Sequence, residues 1–146
     1  VVAGQFGREY PQAEELRKLL HRAVMLASNA LLPARDAMEH LKCGSCAEVL
    51  AGAMYASLRS SDDFDAAMIL AVNHSGRSAA VGALTGAFLG AFRGDKVIPD
   101  FYREGLELVP LLTELAEDLH QGCPAVLSAG FFDDTWDHKY VQGLPL

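Results

Sequence analysis

Apolar positions along this chain recur mainly at intervals of three and four, and that spacing predicts helices. Leu16, Leu19, Leu20, Ala23, Val24 and Ala27 form one such stripe between Pro11 and about Asn29, with Pro11 suited to a first helical turn. The opposite face carries Glu14, Glu15, Arg17, Lys18 and Arg22, an ordinary solvated surface. A shorter helix is expected from Pro33, with Ala37, Met38 and Leu41 inward, until Gly44 and Ser45 break it. The next helix runs from Cys46 to Leu58, burying Val49, Leu50, Ala53, Met54 and Leu58. Ser60-Ser61-Asp62-Asp63 reads as a turn and N-cap that opens a helix to Val72. Beyond Ile98-Pro99-Asp100, apolar positions from Phe101 to Leu119 predict one long helix to about His120, bent at Pro110 and stopped by Gly122-Cys123-Pro124. The tail, with Phe131, Phe132, Trp136 and Tyr140, has no period and is expected to dock as an irregular segment.

The most informative stretch lies between these elements, from Ala71 to Gly94. A polar turn, Asn73-His74-Ser75-Gly76-Arg77-Ser78, leads into a segment where Gly82, Gly86 and Gly90 recur every four residues. Residues four apart share a helix face, so these glycines predict a groove that admits a close neighbour. Glycine costs ~1 kcal/mol relative to alanine inside a helix, and such a register implies close packing. Ser78 to Phe92 is therefore expected to be a buried central helix. The apolar run from Ala79 to Phe92 is shorter than the ~20 residues that span a bilayer, and Arg93 follows it. No stretch alternates with period two over a strand length. The fold expected is all-α, a compact helical bundle with a glycine-spaced central helix, in a single domain over residues 1–146.

Composition narrows the partners. Hydrophobic residues make up 51% of the 146, enough for one domain's core. Twelve Lys and Arg stand against 19 Asp and Glu, for a net charge of -7, and no basic stripe is present, which argues against nucleic acid. Three cysteines form no disulfide framework, and the first ten residues lack both a charged region and an apolar core of a targeting segment. A reducing, cytoplasmic setting is expected, with no membrane partner.

The run AMILAVNHSGRSAAVGALTGAFLGAFRGDKVIP, from Ala67 to Pro99, resembles the C-terminal signature of the ADP-ribosylglycohydrolase family. The resemblance rests on Asn73, His74, Ser75, Gly76, Ser78, Gly82, Gly86, Gly90, Ala91, Gly94, Ile98 and Pro99, with a looser match at Glu48-Val49-Leu50. It covers roughly Leu41 to Leu119 and implies an all-helical fold of which this chain represents the C-terminal half. A half-bundle implies an uncovered apolar face, and so a homodimer or a second protein subunit.

In the family, two aspartates and a hydroxyl residue of this turn hold magnesium; here those positions read Arg77, Ala79 and Ala80. A guanidinium and two methyl groups offer no oxygen donor to a hard cation, so magnesium is expected to be lost and no cofactor retained. The resemblance then implies two functions. One is a noncatalytic binding or assembly module, with Asn73, His74, Ser75, Gly76, Arg77 and Ser78 as candidate contacts for an ADP-ribose-like ligand. The other is an ADP-ribosyl hydrolase completed by another chain. Arg77 at a helix start could bind a phosphate or carboxylate, or be a solvent-facing or salt-bridged side chain; Asn73 and His74 could contact ligand, or cap the turn.

Two further clusters carry chemistry. Cys43-Gly44-Ser45-Cys46, with His40 upstream, has the spacing of half a zinc site or a redox pair, against a bland reading as small residues closing a helix corner. Asp133-Asp134-Thr135 is similar to the family's N-terminal metal motif, yet no helical period follows it, and a plain acidic turn explains it.

Overall fold

The computed structural model describes Tyr10, residues 13–121 and residues 138–142. The chain divides into two compact units, Val1–Tyr102 and Arg103–Leu146. Among the described residues every regular element is helical and none is a strand, as the periodicity predicts. No described helix is long and apolar enough to cross a membrane.

The first unit contains α1 (Glu14–Ser28), α2 (Ala34–Leu41), α3 (Cys46–Arg59), α4 (Phe64–Val72) and α5 (Ser78–Arg93). A single 3-10 turn, Asp95–Val97, follows α5, and the short α6 (Asp100–Glu104) begins at the unit's edge. Helix α3 touches all four of the other long helices, and α5 lies across α3 and α4. The reason is size: Ala51, Gly52, Ala53 and Ala56 are all buried, so neighbours approach α3 on several sides. Tyr55 is the largest fully buried side chain, and its hydroxyl reaches the Ala34 carbonyl oxygen at 3.4 Å.

Glycine spacing and glycine need turn out to differ. A Cβ on Gly52 of α3 would lie 2.5 Å from the Cys43 Sγ, so this glycine is where packing forbids a side chain. In α5, a Cβ on Gly82 would stand 3.0 Å from Val72 Cγ1, one on Gly86 would make ordinary contact with Met68, and one on Gly90 would meet nothing within 4 Å. The close neighbours of α5 at this face are thus side chains of α4. Burial of α5 is correspondingly narrow, confined to Val81, Gly82, Thr85 and Leu89, while Ala83, Ala87, Phe88 and Phe92 are exposed. This is less than the buried rod that the glycine register predicts.

A second, smaller cluster joins Phe64, Ala67 and Leu89 to Met68, Val97, Ile98 and Tyr102. Tyr102 meets Phe64 edge-on at 5.4 Å, and its hydroxyl donates to Asp65 at 2.7 Å. On another side, Leu20, Leu50, Met54, Leu58, Phe88 and Phe92 line an open apolar groove of about 620 Å³ between α1, α3 and α5.

In the second unit, α7 spans Val109–Gln121. The single helix expected from Phe101 to His120 is therefore corrected to two. Gly105 ends the first, where the Leu106 amide closes a turn on the Arg103 carbonyl at 3.0 Å. Pro110 sits in the first turn of α7, where its missing N–H costs nothing, and produces a start rather than a bend. Lys139, in a wide helical turn at His138–Gln142, bonds Asp118 and Glu114 of α7, each at 2.7 Å. Most of the tail, with Asp133-Asp134-Thr135, lies outside the described residues.

Candidate functional site

The 73–78 turn joins α4 to α5 and is built largely from its own polar groups. Asn73 caps α4, its Nδ2 donating to the Ile69 carbonyl at 2.7 Å beside the Asn73 amide at 3.2 Å. The His74 ring uses both nitrogens: Nε2 lies 2.9 Å from the Ala71 carbonyl oxygen, and Nδ1 lies 3.0 Å from the Gly76 amide nitrogen. A carbonyl accepts and an amide donates, so both contacts are satisfied together by the tautomer with its hydrogen on Nε2 and Nδ1 bare. Ser78 Oγ donates to the His74 carbonyl at 3.2 Å and stitches the start of α5 back onto the turn.

The turn is docked on the corner between α2 and α3. Glu39, in the last turn of α2, accepts the Ser75 amide at 3.0 Å and the Ser75 hydroxyl at 2.9 Å on a single carboxylate oxygen. The Cys43 carbonyl accepts the Arg77 amide at 2.9 Å. Lys42 and Cys43 have φ of 63° and 52°, left-handed backbone that side-chain-bearing residues rarely adopt. That pair turns the Cys43 carbonyl toward α5. Gly76 is required by the same approach, because a Cβ there would meet the Lys42 carbonyl oxygen and lie 2.7 Å from the Cys43 Cβ and carbonyl oxygen.

A consequence for chemistry follows. The amides of Ser75, Gly76, Arg77 and Ser78 are all bonded internally, to Glu39, His74, Cys43 and Gly76 respectively. The turn is therefore no open nest of amides for an anion. What faces outward at the start of α5 is the Arg77 side chain, with exposed Ala79 and Ala80 beside it. The structure thus gathers the six candidate residues into one turn and gives Asn73, His74 and Ser78 capping bonds.

His40, Cys43 and Cys46 are not gathered into a site. Cys43 is buried, whereas Cys46 and His40 are exposed. Among the described residues no group of three His, Cys, Asp or Glu side chains converges as a metal site would require. Burial first, then the charges of Glu48 and Glu39, pushes the Cys43 thiol up to about 11, so it is a packing group rather than a nucleophile.

Two acids have structural roles that the motif matches do not show. Glu39 is one. Glu48 is the other: its carboxylate accepts the Ser45 amide at 2.8 Å and the Gly44 amide at 3.1 Å, while Ser45 Oγ accepts the Glu48 amide at 3.3 Å. This capping box starts α3, and these bonds, Ser45 first, hold the Glu48 carboxyl below its usual range. Ser45-x-x-Glu48 was readable as such a box. Nothing local signals Glu39, whose partner lies 36 residues away.

A family model described as ADP-ribosylglycohydrolase matches residues 2–127, extending beyond both ends of the 41–119 stretch that the resemblance covers. The chain belongs to the ADP-ribosylglycohydrolase family. Neither the curated proteins nor the solved structures return a match to it.

Proposed function

We propose that this member of the ADP-ribosylglycohydrolase family is a noncatalytic module that binds ADP-ribose-like ligands at the 73–78 turn and assembles with a second copy of itself. It stands for the C-terminal half of the family's fold, in a reducing, cytoplasmic setting consistent with the free thiols of Cys43 and Cys46.

The observation that carries the loss of catalysis is the donor set at the turn. Arg77, Ala79 and Ala80, at the positions where the resemblance puts magnesium ligands, are exposed and contribute a cation and two methyl groups. Glu39 is the carboxylate bonded to the turn, and one of its oxygens already receives both Ser75 donors. Divalent cations of this hardness need several oxygen ligands, and this set does not fit one. The guanidinium of Arg77 suits a phosphate instead, aided by the amides of Ala79 and Ala80 at the start of a 16-residue helix. Assembly is supported by the apolar groove, whose rim residue Phe92 is 75% exposed.

Calorimetry with ADP-ribose tests the ligand: measurable heat that disappears in Arg77→Ala is expected, and no heat at millimolar ligand would leave assembly alone. A glycohydrolase assay tests the chemistry. No magnesium-dependent release of ADP-ribose from a modified protein is expected. Family membership favours a second reading, a hydrolase whose metal oxygens come from another chain; turnover abolished by a chelator would establish it.

A further inference from the structure

The two bonds made by His74 have opposite polarity, and only one protonation state satisfies both. In the neutral ring, Nε2–H donates to the Ala71 carbonyl and the bare Nδ1 accepts the Gly76 amide. In the imidazolium, Nδ1 carries a hydrogen too, and it would face the Gly76 N–H at 3.0 Å, donor against donor. The Ala71 bond survives that change, while the Gly76 bond cannot. Gly76 is also the residue with no room to shift toward the corner, since the Lys42 and Cys43 backbone lies against it. Its amide and the ring must therefore part on the outward side, while the Arg77 amide stays on the Cys43 carbonyl.

We propose that His74 is a proton-operated latch on the 73–78 turn: the neutral ring holds Gly76 closed against the α2–α3 corner, and the imidazolium releases it. The latch would regulate ligand contact at the turn, and in that respect it rests on the ligand-binding reading above.

Charged and titratable groups flank the turn from each element packed against it. From α2, Glu39 is bonded to Ser75 and His40 is exposed; the corner brings exposed Lys42 and the buried Cys43 thiol. Arg77 is exposed at the start of α5, whose other charged residue, Arg93, pairs with Asp62 at 3.1 Å. The one charged residue of α4, Asp65, is held by Tyr102, and Glu48 of α3 is occupied by its own capping box. Glu39 holds Ser75 and the Cys43 carbonyl holds the Arg77 amide independently of the ring, so the release is confined to the Gly76 amide.

The test is nuclear magnetic resonance on the intact, nitrogen-15-labelled chain without ligand. Ring nitrogen shifts are expected to report the Nε2–H tautomer while His74 is neutral. As those shifts move to the imidazolium, the Gly76 amide should lose about fivefold in protection against hydrogen exchange, after correction for intrinsic rates, which corresponds to one ordinary hydrogen bond. The Ala67 amide, inside α4, serves as the control for global opening and should not change. In His74→Phe, Gly76 should exchange at the released rate at every pH. A ring with its hydrogen on Nδ1, or a Gly76 amide equally protected across the ring titration, would overturn the latch. Because exchange is read without ligand, absence of ADP-ribose heat would remove the ligand reading and leave the latch standing.

Discussion

Two glycines of the same signature have opposite roles here. Gly76 lies against backbone that cannot retreat, and Gly76→Ala is expected to cost about 2–3 kcal/mol, read as a lower denaturant midpoint with an unchanged slope. Gly90 faces open space within α5, so Gly90→Ala should add up to ~1 kcal/mol by helix propensity alone. The four-residue register that marks Gly82, Gly86 and Gly90 was legible, because period is a property of the chain. Which glycine has a neighbour was not, because that depends on where α4 and the Lys42–Cys43 corner sit. For the same reason Asn73 to Ser78 could be read as one polar turn, while Glu39, which docks it, could not.

At the level of elements, the helices of the first unit were readable from apolar stripes and their boundaries from turn residues. The exception was the run after Ile98, where Gly105 and Pro110 were read as features of one helix although each ends or begins one. The start of α3 makes its stability sensitive to acid. Glu48 is held below its unfolded value by the Ser45 and Gly44 amides. Its contribution is therefore fully present above the unfolded carboxylate range and is lost as pH falls through the folded value. Thermal unfolding compared between pH 7 and pH 3 should show a smaller acid shift in Glu48→Gln than in the parent chain. Within α5, the fully buried Thr85 hydroxyl has no hydrogen-bond partner among the described residues. Thr85→Val keeps the shape and removes the unsatisfied group, so a gain of about 1 kcal/mol in chemical denaturation is expected.

For the molecule as a whole, the groove between α1, α3 and α5 sets the expectation. An apolar trough of about 620 Å³ with Phe88 and Phe92 on its wall is a costly surface to leave in water. Sedimentation should show a concentration-dependent dimer, and Phe92→Glu should shift it to monomer without changing the far-ultraviolet circular dichroism. A strict monomer at high concentration would remove assembly from the proposal.

The turn docks onto its corner through the Arg77 amide on the Cys43 carbonyl and through both Ser75 donors on Glu39. The side chains of Arg77, Ala79 and Ala80 are exposed, so the scaffold does not depend on what they carry. Aspartate at 77 and 79 and threonine at 80 could be written in without rebuilding the surrounding architecture. The framework of the turn and the chemistry of its outward positions are thus separable in this protein, and the second can be changed experimentally while the first is kept.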